Sequence, residues 1–314
     1  MSETLLAAVM FAVGIIMVIK GGDWFVDAAS WIARAANIPA FIIGATIVSF
    51  ATTLPEMIVS VLASLEGKND MAVGNAVGSV TANTGMIMAL AFIFMTVTAT
   101  RKGYMKQCMM LLAACIVLWI GSMSGSVAMW ASVVLAIIFV AFMVCNVISA
   151  KQQSEDVAET TEVNRALIIK NIVMFAVGAA AIVVGSKLLI DGGSAVAVVL
   201  GVPERVIAVT MVAIGTSLPE LVTTITAIRK KESSLSVGNI VGANLIDISL
   251  ILPVCSFVSG GSFAVSAQSL QIDFPACLLV TVLALVPLMI REKAGKLQGV
   301  LMLGVYIAYI LITV

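Results

Sequence analysis

The chain has 314 residues, of which 61% are apolar and 11% charged, and its mean hydropathy is +1.16. Soluble globular proteins are about 45–50% apolar and about 25% charged, so this composition excludes a water-soluble fold and predicts a protein of the lipid bilayer. The net charge is zero, with 17 basic and 17 acidic residues and no histidine, which gives no electrostatic support to nucleic-acid binding and leaves out the commonest metal ligand.

Ten apolar segments follow one another along the chain, separated by charged residues or glycines. At about 20 residues per membrane span, they use about 200 residues and leave only short loops. Backbone amides in a bilayer must be hydrogen-bonded within their own segment, so we expect all ten segments to be helices. The predicted spans cover residues 5–20, 41–65, 71–98, 106–121, 127–149, 166–187, 204–228, 235–258, 271–290 and 297–314.

Glycine-rich stretches follow the first and the sixth predicted spans. GGDWFVDAAS begins at Gly21 and GSKLLIDGGS begins at Gly185. We expect each stretch to fold over at the membrane interface before the next span. The first apolar segment has neither a basic leading region nor a small-residue cleavage site, so we interpret it as a retained helix rather than a signal peptide.

The loops differ sharply in their content of Lys and Arg. With ten spans, alternate loops hold fourteen basic residues against three, and the richer set is expected to be cytoplasmic. Both termini are therefore predicted to be extracellular, in a multi-pass protein of the cell membrane. The richer set contains Lys20, Arg34, Arg101, Lys102, Lys106, Lys151, Arg165, Lys170, Arg229, Lys230, Lys231, Arg291, Lys293 and Lys296. The poorer set contains Lys68, Lys187 and Arg205.

Residues 151–165 belong to the longest polar stretch, which is acidic and without periodicity. This composition predicts a cytoplasmic linker between two halves, residues 1–150 and 166–314. Five cysteines lie singly in apolar runs, which suits neither a disulfide framework nor a zinc site, so we interpret them as packing residues. They are Cys108, Cys115, Cys145, Cys255 and Cys277.

A shift of 164 residues aligns the second half with the first without a gap. Between residues 44–83 and 208–247, twelve of forty positions are identical, and most of the matches are polar, Gly or Pro. Each half contains five spans, an odd number, so the second half must be inverted relative to the first. Inverted repeats with matching motifs near mid-membrane are typical of secondary transporters. The alternative is an old duplication that now serves only packing.

The duplicated block contains TTLPE at residues 52–56 and TSLPE at residues 216–220. Proline has no amide hydrogen and clashes with the carbonyl four residues earlier, so each helix should bend there and free the carbonyls near Ala51 and Gly215. The spacing brings Glu56 onto one helix face with Thr52 and Thr53. The second block repeats this arrangement with Glu220, Thr216 and Ser217.

Every group on these two faces is an oxygen ligand, which is the preference of hard cations such as Na⁺ and Ca²⁺. A carboxylate near mid-membrane costs at least about 2.5–3.5 kcal/mol on insertion scales, and bound cations would offset that cost. A buried carboxylate could also be neutralised by an ion pair with Lys or Arg in a neighbouring span, or by protonation of a hydrogen-bonded glutamate, and both alternatives stay open.

The third and eighth spans supply further polar groups. Their glycines should let these helices pack closely against the proline-broken pair. Asn75 and Asn239 are interpreted equally well as helix bridges or as ion ligands. Asp27 and Asp191, near the interfaces, are interpreted as helix caps or surface charges. The polar residues of the two spans are Asn75, Ser79, Asn83, Asn239, Asn244 and Asp247.

The paired T[TS]LPE and GNxxG[SA] blocks resemble the two alpha-repeats of the cation/Ca²⁺ exchanger superfamily, specifically prokaryotic sodium/calcium exchangers. The resemblance covers nearly the whole chain. It implies an all-α polytopic membrane protein of ten transmembrane helices in two inverted five-helix repeats. It also implies a central cluster of four ion sites and alternating access, in which the first and sixth spans slide across the other eight.

The resemblance also implies which residues hold the ions. The central calcium site would use Glu56, Glu220, Thr52 and Thr216. The flanking sodium sites would use Thr53, Ser217, Ser79 and the backbone oxygens of Ser49 and Ala213. Asn83 and Asp247 match the remaining central polar pair. Two positions depart from the pattern: Ala243 is aligned with Ser79 where a serine is usual, and Val80 is aligned with Asn244.

The sequence therefore predicts a secondary antiporter that exchanges Na⁺ for Ca²⁺, with a proton/Ca²⁺ exchanger on the same fold as the alternative. A channel is disfavoured because two inverted halves that meet at one site are more typical of a transporter. An enzyme is disfavoured because the chain has no histidine, the usual general base. We expect no cofactor beyond the transported ions, and as partners the lipid bilayer but neither nucleic acid nor an obligatory protein.

Overall fold

The computed structural model describes residues 3–95, 97–98, 101–154, 164–199, 217–261 and 263–313. Within these ranges, eight helices are long and apolar enough to cross a membrane, and one bent helix pair brings the number to nine. The predicted span at 204–228 is described only from residue 217, where its last part forms a helix. The chain is an all-helical, multi-pass membrane protein, as predicted.

The first half contains eight α-helical segments and two π-helical turns. The helices are α1 (Glu3–Ala35), α2 (Ala40–Ile43), α3 (Ser49–Thr52), α4 (Leu54–Leu65), α5 (Asn69–Ala82), α6 (Ala89–Phe94), α7 (Arg101–Gly121) and α8 (Met129–Ser154). The π-helical turns are π1 (Gly44–Val48) and π2 (Asn83–Met88). Together α2, π1 and α3 form one continuous half-span that ends at the TTLPE motif.

The second half contains six described α-helices and two π-helical turns. The helices are α9 (Arg165–Val199), α10 (Leu218–Arg229), α11 (Ser233–Ile246), α12 (Leu252–Val258), α13 (Phe274–Arg291) and α14 (Lys296–Thr313). The π-helical turns are π3 (Asp247–Ile251) and π4 (Ser269–Asp273). The predicted linker, residues 151–165, begins within α8, and its residues 155–163 lie outside the described ranges.

Element boundaries recur at the spacing of the sequence repeat. Equivalent elements begin 164 residues apart: α4 at Leu54 and α10 at Leu218, α5 at Asn69 and α11 at Ser233, π2 at Asn83 and π3 at Asp247. The turns after α4 and α10 also match, because Gly67 and Lys231 both adopt left-handed backbone conformations, with φ of 73° and 60°.

The first and the sixth spans continue as single helices through their glycine-rich stretches. α1 has 33 residues and α9 has 35, which at about 1.5 Å per residue makes each about 50 Å long, well beyond the ~30 Å hydrocarbon core. The prediction that the chain folds over at Gly21 and at Gly185 is wrong. The glycines do not end the helices because they serve as packing positions between them.

Those glycines form a close seam between α1 and α9, which pack along their lengths. A Cβ added at Gly14 would lie 2.6 Å from the backbone nitrogen of Leu189 and 2.8 Å from the carbonyl oxygen of Gly185. A Cβ added at Gly178 would lie 2.8 Å from the nitrogen of Phe25. Only glycine permits backbones to approach this closely.

Two short strand pairs connect loops of the two halves. β1 (Val97–Thr98) pairs antiparallel with β4 (Lys293–Ala294), and β2 (Ser126–Val127) pairs antiparallel with β3 (Phe263–Ala264). Each pair therefore fixes a loop of one half against a loop of the other.

Of the eight long apolar helices in the described ranges, the one that contains α11 is the most buried, with 83% of its most apolar stretch inside the protein. α11 packs against α2, π1 and α3 through glycine. A Cβ added at Gly242 would meet the carbonyl oxygen of Ala45 at 2.5 Å and Ser49 Oγ at 2.6 Å. This confirms the predicted close packing of the GNIVG block against the broken helix. Gly74 and Gly78, the equivalents in the first half, have no described atom within 4 Å of an added Cβ.

Candidate functional site

The TTLPE motif bends its helix as predicted. α3 ends at Thr52, Thr53 has φ −85° and ψ −1°, and Pro55 lies in the first turn of α4. The segments Ala40–Thr52 and Leu54–Leu65 meet at an angle of 49°. The bend arises where proline removes an amide donor, and it aims the first turn of α4 at the protein centre.

Three carboxylates are buried at this centre. Glu56 is 1% exposed, and Glu220 and Asp247 are both 0% exposed. In the parts of the chain that the structure describes, none of them forms an ion pair with Lys or Arg. Both carboxylate oxygens of Glu56, both of Asp247 and Oε2 of Glu220 have no described hydrogen-bond partner. Neutralisation by a neighbouring Lys or Arg therefore finds no support among the described residues.

Side chains of the two halves meet across the site. Thr53 Oγ1 donates a hydrogen bond to Glu220 Oε1 at 3.4 Å. Thr52 Oγ1 lies 3.2 Å from Asn239 Oδ1 and donates to it. The two threonine hydroxyls of the TTLPE motif thus contact the Glu220 carboxylate and the Asn239 side-chain amide of the second half.

The three carboxylates lie close enough to interact electrostatically. Glu56 would repel Glu220 and Asp247, and Glu220 would repel Asp247, whenever both members of a pair are ionised. Across the described ranges, however, no three Asp, Glu, Cys or His side chains come close enough together to hold a metal ion by themselves. A cation bound here would need hydroxyl, amide or backbone oxygens to complete its ligands, which is the mixed set that the sequence predicts.

Several predicted ligands already have partners. The backbone oxygen of Ser49 accepts a hydrogen bond from the amide of Thr53 at 2.9 Å, and it lies 3.3 Å from Thr52 Oγ1, whose single hydrogen is shared between it and Asn239 Oδ1. Asn83 Nδ2 donates to Asn244 Oδ1 at 3.2 Å, while Asn83 Oδ1 is buried and without a described partner. Ser49 would have to release a hydrogen bond to bind an ion, whereas the free oxygen of Asn83 would not.

The remaining predicted ligands are buried or lie outside the described ranges. Ser79 is 3% exposed, and Ser217 Oγ is buried without a hydrogen-bond partner among the residues described. Thr216 and Ala213 lie in the stretch 200–216, which is outside the described residues, so their predicted roles stay predictions.

Asn75 and Asn239 bridge helices in this structure. Asn75 Nδ2 donates to the backbone oxygen of Glu56 at 3.2 Å and to Ser60 Oγ at 2.9 Å, so it connects α5 to α4. Asn239 connects α11 to α3 through Thr52. These contacts favour the bridging interpretation over the ligand interpretation for both residues.

Sequence reasoning missed two polar contacts near the site. Thr84 Oγ1 accepts a hydrogen bond of 2.7 Å from Asn244 Nδ2, and Ser60 Oγ accepts one from Asn75. Thr84 is the residue next to Asn83, but its equivalent in the second half is Ile248, so the repeat gave no signal for it.

The two interface aspartates are exposed, and the cysteines are interpreted as packing residues. Asp27 Oδ1 lies 2.6 Å from Lys230 Nζ, so Asp27 is a surface charge, and Asp191 is exposed. All five cysteines are free thiols, and four of them are buried.

Comparison with known proteins gives consistent matches over the whole chain. A family model described as sodium/calcium exchanger protein matches residues 6–148 and 170–314. An uncharacterized membrane protein of Methanocaldococcus jannaschii is 31% identical over 298 residues, covering 95% of this chain and 94% of the relative. The sodium/calcium exchanger MaX1 of Methanosarcina acetivorans is 25% identical, covering 95% of this chain and 96% of the relative.

Solved structures of the sodium-calcium exchanger NCX_Mj are similar to the fold. One of them, soaked with 10 mM Na⁺ and no Ca²⁺, has a TM-score of 0.85 and 28% sequence identity, and the match covers 98% of this chain and 99% of that one. A second, soaked with 10 mM Na⁺ and 10 mM Sr²⁺, has a TM-score of 0.83 and also 28% identity, covering 98% of each chain.

Proposed function

The chain belongs to the sodium/calcium exchanger protein family, and from this premise we propose that it exchanges Na⁺ for Ca²⁺ across the membrane by alternating access. It is a membrane antiporter of the cation/calcium type and not an enzyme. We further propose which ion drives transport, how the movements of the two ions are coupled, and which residues bind them.

One observation carries the proposal. Glu56 and Glu220, one from each half, are buried. Among the residues that the structure describes, neither carboxylate has a Lys or Arg partner; Thr53 donates to Glu220 Oε1, and the other three carboxylate oxygens have no described hydrogen-bond partner. Two such carboxylates in the hydrocarbon region are costly unless a cation binds them. Oxygen ligands suit Ca²⁺ and Na⁺ and make a poor site for softer metals.

We propose the predicted ligand set for these ions. Glu56 and Glu220 with Thr52 and Thr216 bind Ca²⁺, and Asp247 completes the charge of the site. Na⁺ binds at flanking positions of the same site, where it shares the two glutamates. The polar residues proposed for the flanking and central positions are Thr53, Ser217, Ser79, Asn83 and the backbone oxygens of Ser49 and Ala213.

Competition for the same glutamates couples the two ions without a separate linkage. Three Na⁺ would neutralise Glu56, Glu220 and Asp247, whereas one Ca²⁺ would leave one negative charge unless Asp247 is protonated. An exchange of three Na⁺ for one Ca²⁺ moves one net charge, worth about 2.3 kcal/mol per 100 mV. The proposed reaction is therefore electrogenic extrusion of calcium.

We propose that the chain crosses the membrane ten times, as two inverted halves of five helices with both termini outside. The recurrence of helix boundaries at 164 residues supports the repeat, and the bias of fourteen basic residues against three supports the orientation. In the transport cycle α1 and α9 slide together across the remaining helices, which is supported by their continuous glycine seam.

Proton/calcium exchange is the second candidate, and one position favours it. Ala243 is buried where the first half has Ser79, so one flanking sodium position lacks a hydroxyl. A carboxyl group can exchange a cation for a proton without needing that ligand.

Flux into proteoliposomes separates the two candidates. Vesicles loaded with Na⁺ are diluted into Na⁺-free medium that contains labelled Ca²⁺, with the same pH on both sides. We expect rapid calcium uptake that responds to an imposed membrane potential, and no uptake from a pH gradient at equal Na⁺. Uptake that ignores the sodium gradient overturns the sodium proposal, and uptake driven by the pH gradient replaces it with the second candidate.

A further inference from the structure

An open cavity of about 470 Å³ lies between the last two helices, α13 and α14. Leu283, Pro287 and Leu301 form its apolar part, and Arg291, Lys293 and Lys296 lie around it. Small-molecule sites occupy about 300–1,000 Å³, so the cavity has room for a compact polar group such as a phosphate ester.

The described part of the protein provides no acidic partner for the three cations. All three are exposed, and none takes part in an ion pair with any residue that the structure describes. Their backbone positions are fixed, because Arg291 ends α13, Lys296 begins α14, and Lys293 is paired with Thr98 in the ladder of β4 and β1. Three positive charges around one cavity, carried on backbone positions that secondary structure holds, favour an anionic ligand.

The cavity also has an apolar wall that continues onto the outer surface of α14. Leu297 is 75% exposed and Leu301 is 54% exposed, and the two lie one helical turn apart on the same face of α14. Gln298, at the cavity floor, already donates to the carbonyl oxygens of Leu283 at 2.9 Å and Ala284 at 2.7 Å. A soluble anion would use the cations alone, whereas an amphipathic anion would use both the cations and the leucines.

We propose that this cavity binds the phosphate headgroup of an anionic phospholipid, with an acyl chain along Leu297 and Leu301. In the ten-span topology the cavity faces the cytoplasmic leaflet, where anionic lipids interact with basic pockets between helices. This site is separate from the three buried carboxylates, so the proposal does not depend on which ion drives transport.

Competitive lipid binding to the purified full chain tests the proposal. Native mass spectrometry counts the lipids retained from an equimolar mixture of phosphatidylglycerol and phosphatidylcholine. We expect at least about a tenfold preference for phosphatidylglycerol in the wild type. The triple variant R291Q/K293Q/K296Q should reduce that preference to about onefold. The matched control K20Q/K170Q/K231Q removes three exposed cations elsewhere that form no described ion pair, and it should keep the preference.

A second variant distinguishes a built site from diffuse attraction between charges. Gly295 lines the cavity, and a Cβ added there meets no described atom within 4 Å, so Gly295→Leu fills the space and keeps all three cations. We expect G295L to lose the preference for phosphatidylglycerol while its melting temperature stays unchanged. A preference kept by G295L, or kept by the R291Q/K293Q/K296Q variant, overturns the proposal.

Glycerol phosphate distinguishes a lipid from a soluble anion. It carries the phosphate but no acyl chain, and at millimolar concentration it should leave bound phosphatidylglycerol in place. Displacement of the lipid by glycerol phosphate would overturn the lipid assignment and identify a site for soluble phosphate esters. The measurement involves no ion flux, so a failed transport assay does not affect its result.

Discussion

At the residue scale, Glu56 and Glu220 are buried carboxylates without a basic partner in the described ranges of the chain. The insertion cost of about 2.5–3.5 kcal/mol for each charged side chain is offset by the bound cation in the proposed mechanism. Removing one charge should therefore reduce ion binding without harming the fold, because glutamine has nearly the same shape as glutamate.

We expect Glu56→Gln and Glu220→Gln each to lower calcium exchange at least about 100-fold, the equivalent of about 2.7 kcal/mol. Labelled calcium flux in proteoliposomes measures the loss, and thermal unfolding in detergent checks the fold. Asp191→Asn is the matched control, since Asp191 is exposed and outside the site. Normal exchange by either glutamine variant would contradict the site.

Ala243 offers a substitution that should strengthen sodium binding rather than weaken it. It is fully buried at the position equivalent to Ser79, so Ala243→Ser adds the hydroxyl that the first half supplies. We expect the Na⁺ concentration for half-maximal exchange to fall about threefold or more, and Ser79→Ala to raise it. A buried hydroxyl without a partner costs about 1–3 kcal/mol, so lower stability with unchanged sodium dependence would mean that no ion contacts this position.

The helix bend and the burial of the paired carboxylates agree with expectations drawn from the residues, whereas the ion ligands stay predictions. The proline bend and the paired glutamates follow from the duplicated block, because local chemistry determines both. Thr84 and Ser60 could not be predicted, since their roles depend on how α5 and α11 rotate against their neighbours. Sequence also left Asn75 and Asn239 undecided, and only the packed helices distinguish a bridge from a ligand.

At the element scale, the close contact of α1 with α9 depends on glycines that sequence reasoning interpreted as helix ends. Glycine weakens an isolated helix by about 1 kcal/mol, and this propensity argument led to the wrong boundary. Tertiary packing outweighs this propensity cost, because Gly14 and Gly178 let the backbones of α1 and α9 come into contact. The lengths of α1 and α9 therefore follow from a tertiary contact that propensity does not include.

Gly14→Ala should destabilise the protein by about 1–3 kcal/mol, since the new Cβ would overlap the backbone of α9. Gly304→Ala in α14 is the matched control, because a Cβ added at Gly304 meets no described atom within 4 Å. We expect Gly304→Ala to be neutral or slightly stabilising. Thermal unfolding of both variants measures the difference, and equal melting temperatures would mean that the seam adapts without strain.

At the scale of the whole molecule, four ion pairs connect α1 with the end of α10 and the turn after it. Lys230 Nζ lies 2.6 Å from Asp27 Oδ1 and 3.8 Å from Asp23 Oδ1. Arg229 and Asp23 are 3.7 Å apart, and Arg34 and Glu232 are 3.4 Å apart. If α1 slides across the remaining helices during transport, these contacts must open and close in each cycle.

Lys230→Gln should therefore change the maximal calcium exchange rate about 1.4–5-fold, which corresponds to the 0.2–1 kcal/mol of an exposed ion pair. Asp27→Asn should give a similar change, and the double variant little more, as expected for one shared contact. The control is Lys106→Gln, which removes an exposed charge of α7 that takes part in no ion pair among the described residues. If Lys230→Gln behaved like Lys106→Gln, the ion pairs to α1 would have no part in transport.

The succession of apolar spans and the repeat at 164 residues could be predicted because hydropathy and sequence identity are properties of whole segments. The conformation that the structure shows could not be predicted from the sequence, since it depends on contacts between elements that are distant in the chain. The ion pairs to Asp23 and Asp27 join residues about 200 positions apart, and no local pattern indicates them.

The repeat gives those ion pairs a counterpart of reversed sign. Asp23 corresponds to Lys187 and Lys230 corresponds to Glu66, so the other end of the molecule has the same two positions with their charges swapped. In this structure Glu66 binds Lys68 instead, and that hydrogen bond and charge lower the pKa of Glu66. Sliding of α1 and α9 that separates Asp23 from Lys230 would bring Lys187 of α9 to Glu66, so that the duplicated segment provides one stabilising ion pair for each side of the membrane.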